Sequence, residues 1–346
     1  MKRLGWFYGL LFLIALGLIV FPAQAASGAA EGLRMCGTAV IPALLPFFLL
    51  TRLLLALLPP IRLGTRAEAA FERLFGVSGS CVPALLLSML GGYPVGVSSV
   101  TELYESGAVT KQDAQRALRF CNNSGPAFFV GVVGANVLGS VRGGLVLYAL
   151  HVFSALLVGA FFAEPTHTTT LRRMPPAARP TVAEAFQSAV GGACTALLHI
   201  CTLVILFSVL LRLLDAAWFF RALSLLPLGL TAQEQRALAS GVLELSNGVV
   251  RLGGSTHAFV LSAGFMGWGG LCVHLQAMSL WQPARLRPSG YFPAKLLHGL
   301  LSAVLAAAYA QKTAASTACA AALCAICLIF PRFRRKGGRN PRRLAV

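Results

Sequence analysis

Apolar residues in this chain come in blocks long enough to cross a bilayer, and polar residues are confined to short gaps between them. The blocks cover residues 4–21, 35–58, 120–138, 144–162, 189–214, 258–280, 292–310 and 314–330. Each approaches the roughly 20 residues that a helix needs to span a hydrocarbon core. Two shorter apolar stretches, 79–95 and 238–250, are interrupted by Gly91-Gly92-Tyr93-Pro94 and by Glu244-Leu245-Ser246-Asn247-Gly248. Backbone broken at membrane depth must be buried in protein or line water, so both read as re-entrant or discontinuous segments. The pattern predicts an all-α polytopic membrane protein with about eight transmembrane helices plus two broken segments.

Composition sharpens this reading. Hydrophobic residues make up 57% of the chain and charged residues 12%, so a soluble domain is excluded. The net charge of +18 would suggest nucleic acid in a soluble protein, but here basic residues sit in connections and in the tail without interleaved aromatics. They act instead as topology signals. With both termini cytoplasmic, the exceptions to a cytoplasmic placement of Lys and Arg are Arg34, Arg142, Arg212, Arg221, Arg236, Arg251 and Lys312. Lys295 falls on the cytoplasmic side of that division, with Arg285 and Arg287. Lys2 and Arg3, the run 4–21 and Ala23-Gln24-Ala25 resemble a secretory signal, but the run is long enough to stay as a first helix. The nine cysteines share no ligand spacing beyond one Cys324-x-x-Cys327 pair, so no metal site is expected.

The chain also resembles itself. Phe47 with Arg52-Leu53-Leu54 finds a counterpart in Phe207 with Arg212-Leu213-Leu214, and Leu150-His151 finds one in Leu297-His298. The stretch ending at Gly96 matches that ending at Gly248. Residues 1–30 are then an N-terminal helix, 31–163 a first repeat, 164–180 a cytoplasmic linker rich in Pro, Thr and Arg, 181–311 a second repeat, and 312–346 a last helix with a basic tail. Each repeat holds three crossings and one broken segment, so the two are inverted. That is the architecture of secondary transporters, with substrate bound where the halves meet.

The candidate chemistry lies at the breaks. Asn122, Asn123, Ser124 and Gly125 precede an apolar helix with Pro126 in its first turn, where free N–H groups and the helix dipole favour an anion. Gly92 and Pro94 break the helix and let backbone approach a substrate, while Tyr93 offers a ring and a hydroxyl. Ser246 and Asn247 face them from the second half. Glu244, an acid within an apolar segment, and His298, able to carry protons, are candidates for H+ or Na+ coupling. His151 and His199 are further histidines within helices. No Walker loop, HExxH or GxSxG is present, so no enzyme and no ATP-driven pump is expected, and no cofactor.

At Gly91-Gly92-Tyr93-Pro94-Val95-Gly96, Leu103-Tyr104-Glu105-Ser106-Gly107 and Phe120-Cys121-Asn122-Asn123-Ser124-Gly125-Pro126-Ala127-Phe128 the chain resembles the YlbJ-type sporulation integral membrane proteins, within the group carrying the nucleoside-recognition, or Gate, domain. The block covers roughly 91–159; the second half matches more loosely at 243–248. The resemblance implies a multi-pass permease related to concentrative nucleoside transporters. For the sporulation branch it implies movement of dipicolinic acid across the outer forespore membrane of endospore-forming bacteria. Glu244 departs from that substrate, because its charge repels a dianion unless it is protonated or holds a cation. The expected partners are the bilayer and a small anionic substrate, with a homo-oligomer left open. A nucleoside permease and a non-transporting sporulation scaffold are the alternatives.

Overall fold

The computed structural model describes residues 2–57, 64–164, 180–227 and 229–337. Residues 165–179 of the linker and the tail beyond 337, both expected on the cytoplasmic side, lie outside the described residues. The elements are helices, and no strand occurs among the described residues. In the first half they are α1 (Lys2–Val20), α2 (Pro22–Met35), α3 (Ile41–Leu57), α4 (Thr65–Phe75), α5 (Val82–Gly91), α6 (Val95–Glu105), α7 (Lys111–Ala117) and α8 (Val141–Phe161). Two π-helical stretches, Cys36–Val40 and Phe128–Val137, join α2 to α3 and lead into α8. The second half holds α9 (Val182–Ala216), α10 (Phe219–Leu223), α11 (Ala232–Leu243), α12 (Leu245–Val250), α13 (Ala258–Trp268), α14 (Gly270–Trp281) and α15 (Tyr291–Gln311), followed by α16 (Ala314–Gly337).

Among the described residues, four spans are long and apolar enough to cross a membrane: Val141–Phe161, Val182–Ala216, Ala258–Trp281 and Tyr291–Gln311. The number rises to six if each of two bent pairs counts as one span, Tyr8–Val20 with Pro22–Thr38 and Thr65–Phe75 with Gly79–Gly91. Leu44–Leu57, Phe128–Val137 and Ala314–Phe330 are shorter apolar helices. The structure is that of a polytopic membrane protein, and it divides the expected blocks by breaking them. The helix expected over 120–138 is unwound as far as Gly125, and that expected over 258–280 is split at Gly269 and Gly270, both at positive φ.

Local signals explain where helices begin. Thr181 with Glu184, and Thr231 with Glu234, form capping boxes that satisfy the first free N–H groups of α9 and α11. Thr110 caps α7 by accepting from the N–H of Asp113. Small residues then set the packing. Gly28 and Gly32 of α2 lie against the backbone of Val209 and Ile205 in α9, and Gly267 of α13 lies against Gly299 of α15. Such close approach is how helices associate when lipid removes the hydrophobic drive between them.

One end of the molecule is held by ions. Arg116 donates to the Gly76 carbonyl at 3.1 Å and pairs with Glu164 at 3.1 Å. Arg119 pairs with Glu164 at 2.7 Å and donates through Nε to the Ser289 carbonyl at 2.8 Å. Basic residues of α7 and its C-terminal flank thus tie the end of α8 to the approach to α15. At separate places, Arg212 pairs with Glu31 at 2.8 Å, and Glu234 accepts from Ser255 and contacts His257.

Candidate functional site

The first break brings Tyr93 inward. Gly92 takes φ +78°, which turns the chain between α5 and α6, and the following Tyr93–Pro94 peptide is cis. A Cβ on Gly92 would come within 2.8 Å of the Gly125 nitrogen, so the break in one segment rests on the start of the next. Gly96 is pressed as closely onto the Cys121 carbonyl. The second half repeats the arrangement: a Cβ on Gly270 would lie 3.0 Å from the nitrogen of Leu245, the residue that follows the break at Glu244. In both halves, then, a broken segment meets a second chain interruption through glycine. The two pairs of breaks meet each other at Tyr93, whose hydroxyl donates to the Met266 carbonyl at 2.6 Å and abuts Gly269.

At the centre stands a residue that the sequence reading counted among the cytoplasmic-side basic residues, near the start of the apolar block 292–310. Lys295 lies one turn inside α15 and is 1% exposed. Its ammonium donates to the Asn122 carbonyl at 2.7 Å and to the Tyr93 hydroxyl at 3.2 Å, and sits 5.1 Å from the centre of the Tyr93 ring. His298 Nδ1 lies 3.1 Å away. No carboxylate comes within ion-pairing distance of Lys295 among the described residues. An uncompensated buried charge costs several kcal/mol. Lys295 is therefore a buried group at the meeting of the breaks and not an exposed loop charge.

Histidines fix hydrogen positions around it. His298 Nε2 lies 3.0 Å from the His151 carbonyl, which only accepts, so that nitrogen carries a proton and Nδ1 is left to accept from Lys295. His151 Nε2 accepts from the Ser124 N–H at 3.1 Å, which puts its own proton on Nδ1, a buried atom with no partner. The two rings, matched in the internal repeat, lie 4.4 Å apart. On the other side Asn122 donates through Nδ2 to the Tyr291 hydroxyl at 2.6 Å, and His274 Nδ1 meets that hydroxyl at 3.2 Å, leaving His274 Nε2 without a partner. Asn123 donates to the Ser88 hydroxyl at 3.0 Å and to the Phe120 carbonyl at 2.8 Å. The amide oxygens of Asn122 and Asn123 are buried and unmatched. The interior thus offers one cation and two imidazole nitrogens beside two amide oxygens.

Glu244 sits elsewhere in this arrangement. Its carboxylate caps α12, accepting from the N–H of Ser246 at 3.0 Å and from both the N–H and the side-chain amide of Asn247 at 2.8 Å. Glu244, Ser246 and Asn247 therefore form one capping unit against the Gly269–Gly270 break, and Tyr93 lies on the same break. His298, Tyr93 and Asn122 contact Lys295 directly and Ser124 joins through His151, while Gly92 packs on Gly125, Pro94 follows the cis peptide, and Asn123 turns away to Ser88 and Phe120. His199 lies apart, lining a polar crevice beside the 3.1 Å pair of Arg52 and Glu102.

Lys295, Tyr291 and His274 escaped the sequence reading. A signal was available for the first two: Tyr291, Lys295 and His298 recur at i, i+4 and i+7, which places them on one helix face. No spacing announces His274.

No family model and no solved structure matches the chain. It is similar to the sporulation integral membrane protein YlbJ of Bacillus subtilis (strain 168), with 27% identity over 328 residues, covering 85% of this chain and 79% of that protein. The match runs far beyond the motif block at 91–159, and the chain is YlbJ-like over most of its length.

Proposed function

We propose that the protein is a secondary permease for a small anionic metabolite, acting in sporulation, with dipicolinate as the leading substrate. The observation that carries this reading is Lys295, a buried ammonium without a counter-carboxylate, held where the broken segments of both halves converge. A substrate carboxylate would supply the missing charge, and the unmatched N–H groups at His151 and His274 are suited to further acceptor atoms. Tyr93 provides an aromatic face for a planar ring. The sporulation setting rests on the name of the relative, and dipicolinate on the family resemblance. Both termini are taken as cytoplasmic from the distribution of basic loop residues.

One observation favours a second reading. The orphaned oxygens of Asn122 and Asn123 accept hydrogen bonds only, and the N–H and O–H groups of a neutral nucleoside would satisfy them. Uptake into proteoliposomes separates the two. Saturable flux of labelled dipicolinate, with labelled uridine excluded, is the expected result, and Asn122→Ala should abolish it in protein that still inserts. Imposed proton and sodium gradients then identify the coupling ion. Uridine flux alone would transfer the assignment to a nucleoside permease, and absence of both fluxes in inserted protein would support a scaffold.

A further inference from the structure

A second basic feature lies outside the Lys295 network. A cavity of about 1120 Å³ opens between the start of α7, the end of α14 and the connection into α15. Lys111, Arg285 and Arg287 line it, and no carboxylate is among its lining residues. The backbone of this wall is fixed in place while its three basic side chains are exposed: the Arg287 N–H donates to Gln115 Oε1 at 2.8 Å, the Arg285 N–H donates to the Gln282 carbonyl at 2.9 Å, and Arg119 holds the Ser289 carbonyl. The floor leads inward. Trp281 lines the cavity and packs edge-on against Tyr291, with ring centres 4.7 Å apart. The Tyr291 hydroxyl reaches Asn122, and the Asn122 carbonyl reaches Lys295. Two rings packed edge-on are thus the link between an open cavity lined by cations and the buried Lys295.

From this geometry we infer that the cavity is a capture site for the anionic substrate, a vestibule from which a small dicarboxylate passes to Lys295 when the Trp281–Tyr291 pair parts. The inference rests on the permease reading above. A cleft lined by charge of one sign concentrates its counter-ion and raises encounter rates, and added salt removes the advantage. A neutral substrate gains nothing from it. The vestibule therefore acts on the concentration at which transport half-saturates, not on the maximal rate.

The test is uptake of labelled dipicolinate into vesicles of neutral phosphatidylcholine, where no lipid headgroup supplies the anion, over a series of salt concentrations. Wild type is compared with the triple variant Lys111→Gln, Arg285→Gln, Arg287→Gln. The expected result is a KM raised roughly tenfold in the variant at low salt, with unchanged maximal rate and a flattened salt dependence. Gel filtration and Trp fluorescence of the purified variant confirm that it is folded, and Arg287→Lys, which keeps the charge, should behave as wild type. Wild-type flux with the same KM and salt slope in the variant would overturn the vestibule and leave the permease standing. Absence of dipicolinate flux in wild type would remove the permease reading and the vestibule with it.

Discussion

At the scale of single residues, Lys295 is the point where Tyr93, Asn122 and His298 come together. Asn122, Ser124 and Tyr93 stood out because polar and helix-breaking residues beside apolar runs are costly in lipid unless they are buried in protein or line a cavity. Lys295 did not, because it stands near the edge of the apolar block 292–310, where a basic residue ordinarily marks the membrane boundary, and its burial follows only from how α15 packs. Glu244 stood out as an acid at membrane depth, and its three hydrogen bonds are those of a helix cap. Glu244→Ala should accordingly lower stability by about 1–2 kcal/mol, and Glu244→Asn, a good capping residue, should recover most of the loss. Thermal unfolding in detergent measures both. Equal destabilisation by the two variants would count against the cap.

Among the elements, the breaks matter more than the spans. The sequence located the interruptions at 91–94 and 244–248, because glycine, proline and adjacent polar residues punctuate apolar runs. The split at Gly269–Gly270 was hidden within a run that reads as one continuous helix, since a pair of glycines alone does not reveal whether φ turns positive. Nor does composition distinguish the π-helical Phe128–Val137 from an ordinary helix. If contact between breaks positions the site, Gly92→Ala should be damaging on two counts: its φ of +78° and the 2.8 Å approach of a new Cβ to Gly125. With ψ at −170°, Gly92 lies in a region essentially restricted to glycine, and a loss of about 1–3 kcal/mol is expected from the backbone conformation alone. Gly131→Ala, in the π-helix with open space around it, should leave the unfolding midpoint unchanged or slightly raised. Matching effects at the two positions would show that the breaks are not under such constraint.

For the whole molecule, His151 of α8 and His298 of α15, which share a Leu-His context in the sequence, lie with ring centres 4.4 Å apart. What joins the two halves at one end is the clamp of Arg116, Arg119 and Glu164, together with the hold of Arg119 on Ser289. Burial pushes the Glu164 carboxyl up, but hydrogen bonding and charge from Arg119, and then from Arg116, outweigh it and hold the group below the ordinary carboxylate range. A carboxyl depressed in the folded state contributes stability that is complete above its unfolded value of about 4.3 and drains away as pH falls through the lower folded value. The difference in unfolding midpoint between wild type and Glu164→Gln should therefore be constant near neutral pH and shrink below about pH 4. A difference that persists undiminished in acid would mean that the pairing contributes nothing through charge.

The permease reading depends on Lys295 as the charge that receives the substrate. Its most direct test is equilibrium binding and uptake of labelled dipicolinate by Lys295→Gln beside wild type, each in folded, inserted protein. Glutamine keeps a hydrogen-bond donor at the site and removes the charge, so both binding and flux should fall at least about a hundredfold, the order expected on losing a charge-assisted contact in a buried site. Dipicolinate binding and flux at wild-type levels in Lys295→Gln would contradict the account.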